Sequence, residues 1–130
     1  VLYCTHAALP LLKAGGGGDV VIVSSVGGRV VGRNSGVYSL TKFGINAFAE
    51  ALRAESTGTG LRVTLIEPGR VDTELRTHVR EEVMRELSGG FAGVEPMTSE
   101  QVADAILFAI GQPPGVTISE MLMRPANSPM

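Results

Sequence analysis

Ser25 stands thirteen residues before Tyr38, and Lys42 follows Tyr38 by four, so the tyrosine and lysine share one face if that stretch is helical. Three such side chains suit proton transfer at a carbonyl or alcohol oxygen. A phenol ordinarily keeps its proton to about pH 10, which makes it a poor base near neutrality. An ammonium about 4 Å away favours the phenolate by up to ~4 kcal/mol at an effective dielectric of about 20, less any solvent screening. That moves the phenol toward the pH where acid–base transfer is most efficient. A serine hydroxyl aimed at the same oxygen donates a hydrogen bond while charge builds there. None of the three is a redox group, so this chemistry implies a cofactor. Taken alone, the Tyr–Lys pair also fits a surface tyrosine lying on a lysine stem, and the serine fits a turn cap. Joint placement is what favours chemistry.

The surrounding pattern supplies the elements that must position these residues. Positions 1 to about 14 read as a helix that opens in mid-pattern at Val1, with Leu2, Leu9 and Leu12 at helical spacing, as if the terminus were cut rather than begun. Four glycines, Gly15 to Gly18, close it. They precede a strand, whereas a phosphate-cradling loop follows one and opens a helix, so they read as a surface turn. The β-branched run from Asp19 to Ser24 suits a strand buried on both faces, with Ser25 at its end, where open parallel sheets place ligands.

After a glycine-containing loop to Asn34, the spacing from Ser35 to about Ser56 is helical and apolar nearly all round, which calls for cover on more than one face. Leu61 to Ile66 forms a second strand, stopped by Pro68 and Gly69. A single helix is expected from Thr73 to Leu87, with a stripe of Leu75, Val79, Val83 and Leu87, a Glu81–Arg85 pair, and an end at Gly89-Gly90. Thr98 with Gln101 forms a capping box that Met97 and Val102 staple, and Val102, Ala105, Ile106, Ala109 and Ile110 make the buried face of the helix it starts. Val116 to about Met123 is the third strand. Strands alternating with helices imply right-handed crossovers and an α/β domain, a doubly wound parallel sheet of three strands with helices on both sides.

Composition sets the outer bounds. The 130 residues allow one domain, 1–130, and a net charge of −2 gives no basic surface for nucleic acid or an anionic membrane. The longest clean apolar run, Val20 to Val23, is far too short to span a bilayer, and no signal-peptide pattern is seen, so the default address is cytoplasmic. Cys4 is alone, so it has no intrachain disulfide partner, and it reads as a buried small hydrophobe rather than a metal ligand; no metal is expected.

Three ordered motifs together resemble the short-chain dehydrogenase/reductase family. The segment from Val21 through Ser25 to Gly28 is similar to its serine strand, Tyr38 to Lys42 matches its Tyr-x-x-x-Lys motif at the usual distance, and Glu67 to Thr73 is similar to its Pro-Gly segment. The resemblance covers essentially the whole chain and implies the C-terminal part of a Rossmann-like domain whose first, nucleotide-binding half lies outside these residues. It implies that Ser25 orients the substrate oxygen, Tyr38 is the acid or base, and Lys42 also holds the nicotinamide ribose. Tyr38 and Lys42 together with Pro68, Gly69, Val71 and Thr73 would line the cofactor, with the Val71 backbone on the carboxamide and Thr73 on the carboxamide or pyrophosphate. Gly69 allows close backbone approach, and a helix opening at Thr73 would favour anions there, although Thr73 equally fits a plain N-cap. Arg70 reads as solvated, or as a partner for an acidic substrate.

The family's Gly-rich loop, its Asn-Ala-Gly segment and its catalytic Asn are not in these residues. The cofactor, NADP or NAD, is therefore left open. The ending from Val116 to Pro125 resembles the NADP-dependent subgroup acting on 3-hydroxy acids, and residues 74–97 occupy the family's substrate lid. The resemblance also implies a small-molecule carbonyl or alcohol substrate and a homo-oligomer, dimer or tetramer, built on the first helix and the tyrosine-bearing helix. The chain by itself is expected to be inactive, with an exposed, apolar edge at the strand of residues 19–24. The competing reading is a non-catalytic truncated relative acting through that oligomer surface.

Overall fold

A computed structural model describes residues 1–89 and 93–128. Helix α1 (Leu2–Ala14) leads through the glycine turn into β1 (Gly18–Val23), and α2 (Gly36–Glu55) returns to β2 (Leu61–Pro68). A five-residue 3-10 helix (Glu74–His78) and α3 (Glu81–Gly89) follow, then α4 (Ser99–Ile110) and β3 (Glu120–Met123). The strands pair in parallel in the order β1-β2-β3, with Val23 beside Ile66 and Pro68 beside Met123. This is the expected three-strand parallel sheet with flanking helices.

The core forms where α2 lies on the sheet. Ile22, Val63 and Leu65 pack with Ala49 and Leu52, and Leu9, Val20, Ile45 and Phe48 close around them. Alternation along β2 sends Thr64 and Ile66 to the opposite face, where α4 packs on the strand and buries Ala105 and Ala109. β2 is thus the strand buried on both faces. The same expectation for the Asp19–Ser24 run is corrected: Ile22 is its only fully buried apolar residue, and Val23 is 46% exposed. Among the described residues β1 pairs with β2 alone, so it is a sheet edge, and α4 covers β2 instead.

Other boundaries moved for local reasons. The helix expected from Thr73 to Leu87 divides, and α3 begins only at Glu81. Thr77, His78 and Val79 are all poor helix formers, and the Thr77 hydroxyl bonds back to the Glu74 carbonyl at 2.7 Å. Glu81 and Glu82 then suit a new N-terminus. The Gly89-Gly90 stop lies in part outside the described residues, since Gly90 does. The third strand starts at Glu120 rather than Val116: residues 116–119 have no ladder pairing of their own and meet β2 through the Leu65 N–H to Ser119 carbonyl bond of 2.9 Å and the Arg62 Nη1 to Val116 carbonyl bond of 3.1 Å. α2 buries one face, and Val37 and Leu40 on its outer side remain exposed. Cys4, expected to be buried, is exposed, because α1 buries none of its residues. The Thr98–Gln101 capping box is present in both directions.

Two contacts hold the end of the sheet away from the site. Gly17 adopts a φ of +127° and lies so close to Gly60 that a Cβ there would sit 2.2 Å from the Gly60 carbonyl oxygen, which is why the turn is glycine. Arg62 donates to the carbonyls of Ile110 and Gln112 at 2.9 and 2.7 Å and to Asp19 Oδ2 at 2.8 Å, tying β1 and β2 to the last turn of α4. Among the described residues no helix is long and apolar enough to cross a membrane.

Candidate functional site

The carboxyl edge of the sheet is where Ser25, Tyr38 and Lys42 meet. β1 ends at Val23, and the Ser24 N–H extends the ladder by one bond to the Ile66 carbonyl at 2.7 Å. Ser25 therefore lies just past the strand rather than within its last pair. It is extended, with φ −168° and ψ 159°, and caps a 3-10 turn over Val26–Gly28, its Oγ accepting the Gly27 N–H at 3.0 Å. A hydroxyl that accepts this bond keeps its own hydrogen to donate. The sequence left a turn cap and a reactive serine as alternatives; the geometry allows one side chain to do both.

Tyr38 stands in the first turns of α2, 42% exposed, and its ring leans over the serine turn. A Cβ built on Gly27 would lie 2.7 Å from Tyr38 Cε1 and 3.5 Å from Ser25 Oγ, so one point beside that glycine touches both residues. Lys42, one turn on, reaches back with Nζ 5.8 Å from the Tyr38 ring centroid. The ammonium donates to the Ser24 carbonyl at 3.1 Å and the Val23 carbonyl at 3.4 Å, which anchors it between strand and phenol.

The glycine at 27 makes a sharp prediction. Gly27→Ala forces the Tyr38 ring out of its position, and because misplacing a reacting group by about 1 Å can cost 10²-fold in rate, turnover of the full-length protein is expected to fall by about 10-fold or more with little change in melting temperature. Unchanged turnover would show that the ring's place over Gly27 is immaterial.

Burial pushes the Lys42 ammonium below its ordinary value of 10.5. The folded chain therefore binds this proton less readily than the unfolded chain, and stability at this position rises as pH climbs toward 10.5. In matched urea melts, the wild-type protein is expected to gain stability relative to Lys42→Met as pH rises through the alkaline range toward 10.5. A difference that stays constant across that range would contradict the assignment.

The Pro-Gly segment leaves the same edge of the sheet. β2 runs through Pro68, and the Gly69 N–H bonds to the Met123 carbonyl at 2.7 Å. Val71 then forms an isolated parallel bridge with Met97, made by the Arg70 carbonyl at 3.0 Å and the Asp72 N–H at 2.8 Å. Such a bridge does not draw on the N–H and C=O of Val71 itself, which face the other way. Arg70, read from sequence as solvated or substrate-facing, is half-buried and donates from Nη1 to the Val94 carbonyl at 3.1 Å. Thr73 is exposed and precedes a 3-10 helix of five residues, so the aligned dipoles of an α-helix do not begin beside it. The case for an anion at Thr73 from helix geometry falls away.

Sequence reasoning missed a polar chain beneath the site. Glu67 is fully buried, its carboxylate gripped by Arg29 through Nε at 2.8 and 2.9 Å and Nη2 at 2.7 Å, and Arg29 also meets Glu120. These bonds, Glu67 first and then Glu120, hold the Arg29 guanidinium above its ordinary value. The signal was a charged residue between Ile66 and Pro68 in a buried strand, where a carboxylate needs a partner.

A sequence model described as short chain dehydrogenase matches residues 1–84. The glycine betaine reductase of Emericella nidulans is 36% identical over the whole chain, which spans 10% of that protein. An uncharacterised oxidoreductase of Staphylococcus haemolyticus is 36% identical over 96% of the chain and 50% of its own length. Among solved structures, the closed form of a serine dehydrogenase complexed with NADP+ superposes with a TM-score of 0.84 at 28% identity, covering 94% of this chain and 50% of that one. The Escherichia coli serine dehydrogenase superposes with a TM-score of 0.74 over 94% of this chain and 46% of its own. The chain thus spans half or less of these relatives.

Proposed function

The chain belongs to the short-chain dehydrogenase family, and from that premise we propose that the protein carrying it is an NAD(P)-dependent oxidoreductase acting on a carbonyl or secondary alcohol. The observation that carries the proposal is the shared point beside Gly27: Ser25 and Tyr38 meet there, with Lys42 at the tyrosine ring. Tyr38 gives its proton to the substrate oxygen in reduction and takes it back in oxidation. Ser25 donates a hydrogen bond to that oxygen while it is charged. Lys42 sets its ammonium beside the tyrosine ring and would hold the ribose hydroxyls of the cofactor.

The residues present fit the nicotinamide end of a dinucleotide. Val71 has its N–H and C=O turned away from the Met97 bridge, where a carboxamide could pair with both, and Pro68 and Gly69 carry that backbone off the carboxyl end of β2, the strand that pairs with β1. Thr73 is retained as a hydroxyl contact only. When bound, the nicotinamide supplies or accepts the hydride. NADP is favoured over NAD by the NADP+ of the serine dehydrogenase neighbour, whose name together with the 116–125 segment points to 3-hydroxy acids as the substrate class. Assembly as a homo-oligomer through α1 and α2 is supported by exposed Leu11, Val37 and Leu40.

The test is a turnover assay on the full-length protein, following NADPH and NADH absorbance with 3-hydroxy acids in one direction and 3-oxo acids or aldehydes in the other. Cofactor-dependent turnover that Ser25→Ala and Tyr38→Phe both suppress is expected. A protein that binds nicotinamide dinucleotides without turning over any of these substrates, yet self-associates through α1 and α2, would favour the non-catalytic reading.

A further inference from the structure

One side-chain amide links both ends of the serine turn to the helix that carries Tyr38 and Lys42. Asn46 lies one helical turn beyond Lys42 on α2. Its Oδ1 accepts the buried Ser24 hydroxyl at 2.6 Å, and its Nδ2 donates to the Gly28 carbonyl at 3.1 Å and to Glu67 Oε1 at 2.7 Å. Ser24 and Gly28 bracket the turn that Ser25 caps, and Arg29, the residue after it, is bound to the same Glu67 carboxylate. The Ser24 carbonyl in turn receives Lys42 Nζ. A carboxylate shared with Arg29 acts as an acceptor, so Glu67 dictates which end of the amide faces it and leaves Oδ1 for Ser24.

We infer that Asn46, oriented by the buried Glu67, is a positioning residue that sets Ser25 against Tyr38 and Lys42. The inference rests on the oxidoreductase reading above for its catalytic consequence, but the geometric part stands on the hydrogen bonds alone. The hydrogen bonds of Asn46 go to Ser24, Gly28 and Glu67, so it acts through Ser24 and the turn.

Two variants of the full-length protein test this. Asn46→Asp keeps an oxygen for Ser24 but sets a second carboxylate against Glu67 and the Gly28 carbonyl. Because that charge can unfold the chain, Gly28→Ala attacks the same contact with charge unchanged, its Cβ falling 2.7 Å from Asn46 Nδ2 and 2.9 Å from Oδ1. The first readout is amide hydrogen exchange at Gly27, whose N–H is bonded to Ser25 Oγ, against Leu65 in the sheet as internal reference. The second is kcat beside the cofactor KM, measured well below the melting temperature. Gly27 exchange is expected to rise about 10-fold or more relative to Leu65, with kcat lowered by about 10- to 100-fold and the cofactor KM changed by less than about 3-fold.

Equal Gly27 protection in variants and wild type overturns the inference whatever the activity. So does faster Gly27 exchange with kcat unchanged, since the turn would then be held to no catalytic end. Survival of turnover in Tyr38→Phe is a separate result: it rejects the oxidoreductase mechanism and leaves the exchange measurement to judge Asn46.

Discussion

Tyr38→Phe is expected to lower kcat of the full-length protein by about 10²- to 10⁴-fold, the range that positioned acid–base groups contribute. The substitution removes one oxygen and keeps the ring. Packing over Gly27 is retained, so the melting temperature is expected to stay within a degree or two and the cofactor KM to change little. Loss of kcat with KM preserved marks an interaction made in the transition state rather than in binding. A variant that loses stability along with activity would instead point to a structural role for the hydroxyl.

The largest effect on stability is expected at Arg29. Arg29→Ala leaves the buried Glu67 carboxylate with no cation; stripping one partner from a fully buried pair typically costs about 3–5 kcal/mol, and because the Arg29 side chain is 41% exposed, solvent screening lowers the expected loss here to about 1–3 kcal/mol. Asn46 still donates one bond, which places the expected loss toward the lower end of that range. Urea melts of the full-length protein check it through the midpoint at unchanged slope. The double variant Arg29→Met with Glu67→Leu removes both charges, and is expected to recover most of the loss because the desolvation cost disappears with them. A loss below about 0.5 kcal/mol in Arg29→Ala would mean the pair is solvated and the carboxylate is not held as described.

Much of this was legible in the residues because local rules and the global fold agree. The Tyr38–Lys42 spacing placed both on one helix face, Pro68 and Gly69 marked the end of a buried strand, and Thr98 with Gln101 fixed a helix start that the structure reproduces bond for bond. Two kinds of feature were not legible. Burial of the Asp19–Ser24 run depended on which strand α4 would cover, and a run of valines carries no record of its neighbours. The break between Glu74–His78 and α3 turned on weak helix formers outweighing a clean apolar stripe, a balance of tenths of a kcal/mol per residue.

Glu67 is the instructive omission. Its charge was visible inside an apolar strand, but its partners Arg29 and Asn46 are 38 and 21 residues away, and spacing rules reach only one or two helical turns. The three catalytic candidates were found because two of them lie within that reach. The chain of bonds that holds them needed the fold.

The central claim is that Ser25, Tyr38 and Lys42 act as one unit on a single oxygen, and one comparison tests it most directly: kcat of the triple variant Ser25→Ala/Tyr38→Phe/Lys42→Met against that of Tyr38→Phe alone, in the full-length protein. Residues that act as a unit show grossly non-additive losses, so the triple variant is expected to fall within about 10-fold of the single one. Losses that simply multiply, driving the triple variant far below Tyr38→Phe, would show three independent contributors and contradict the shared site.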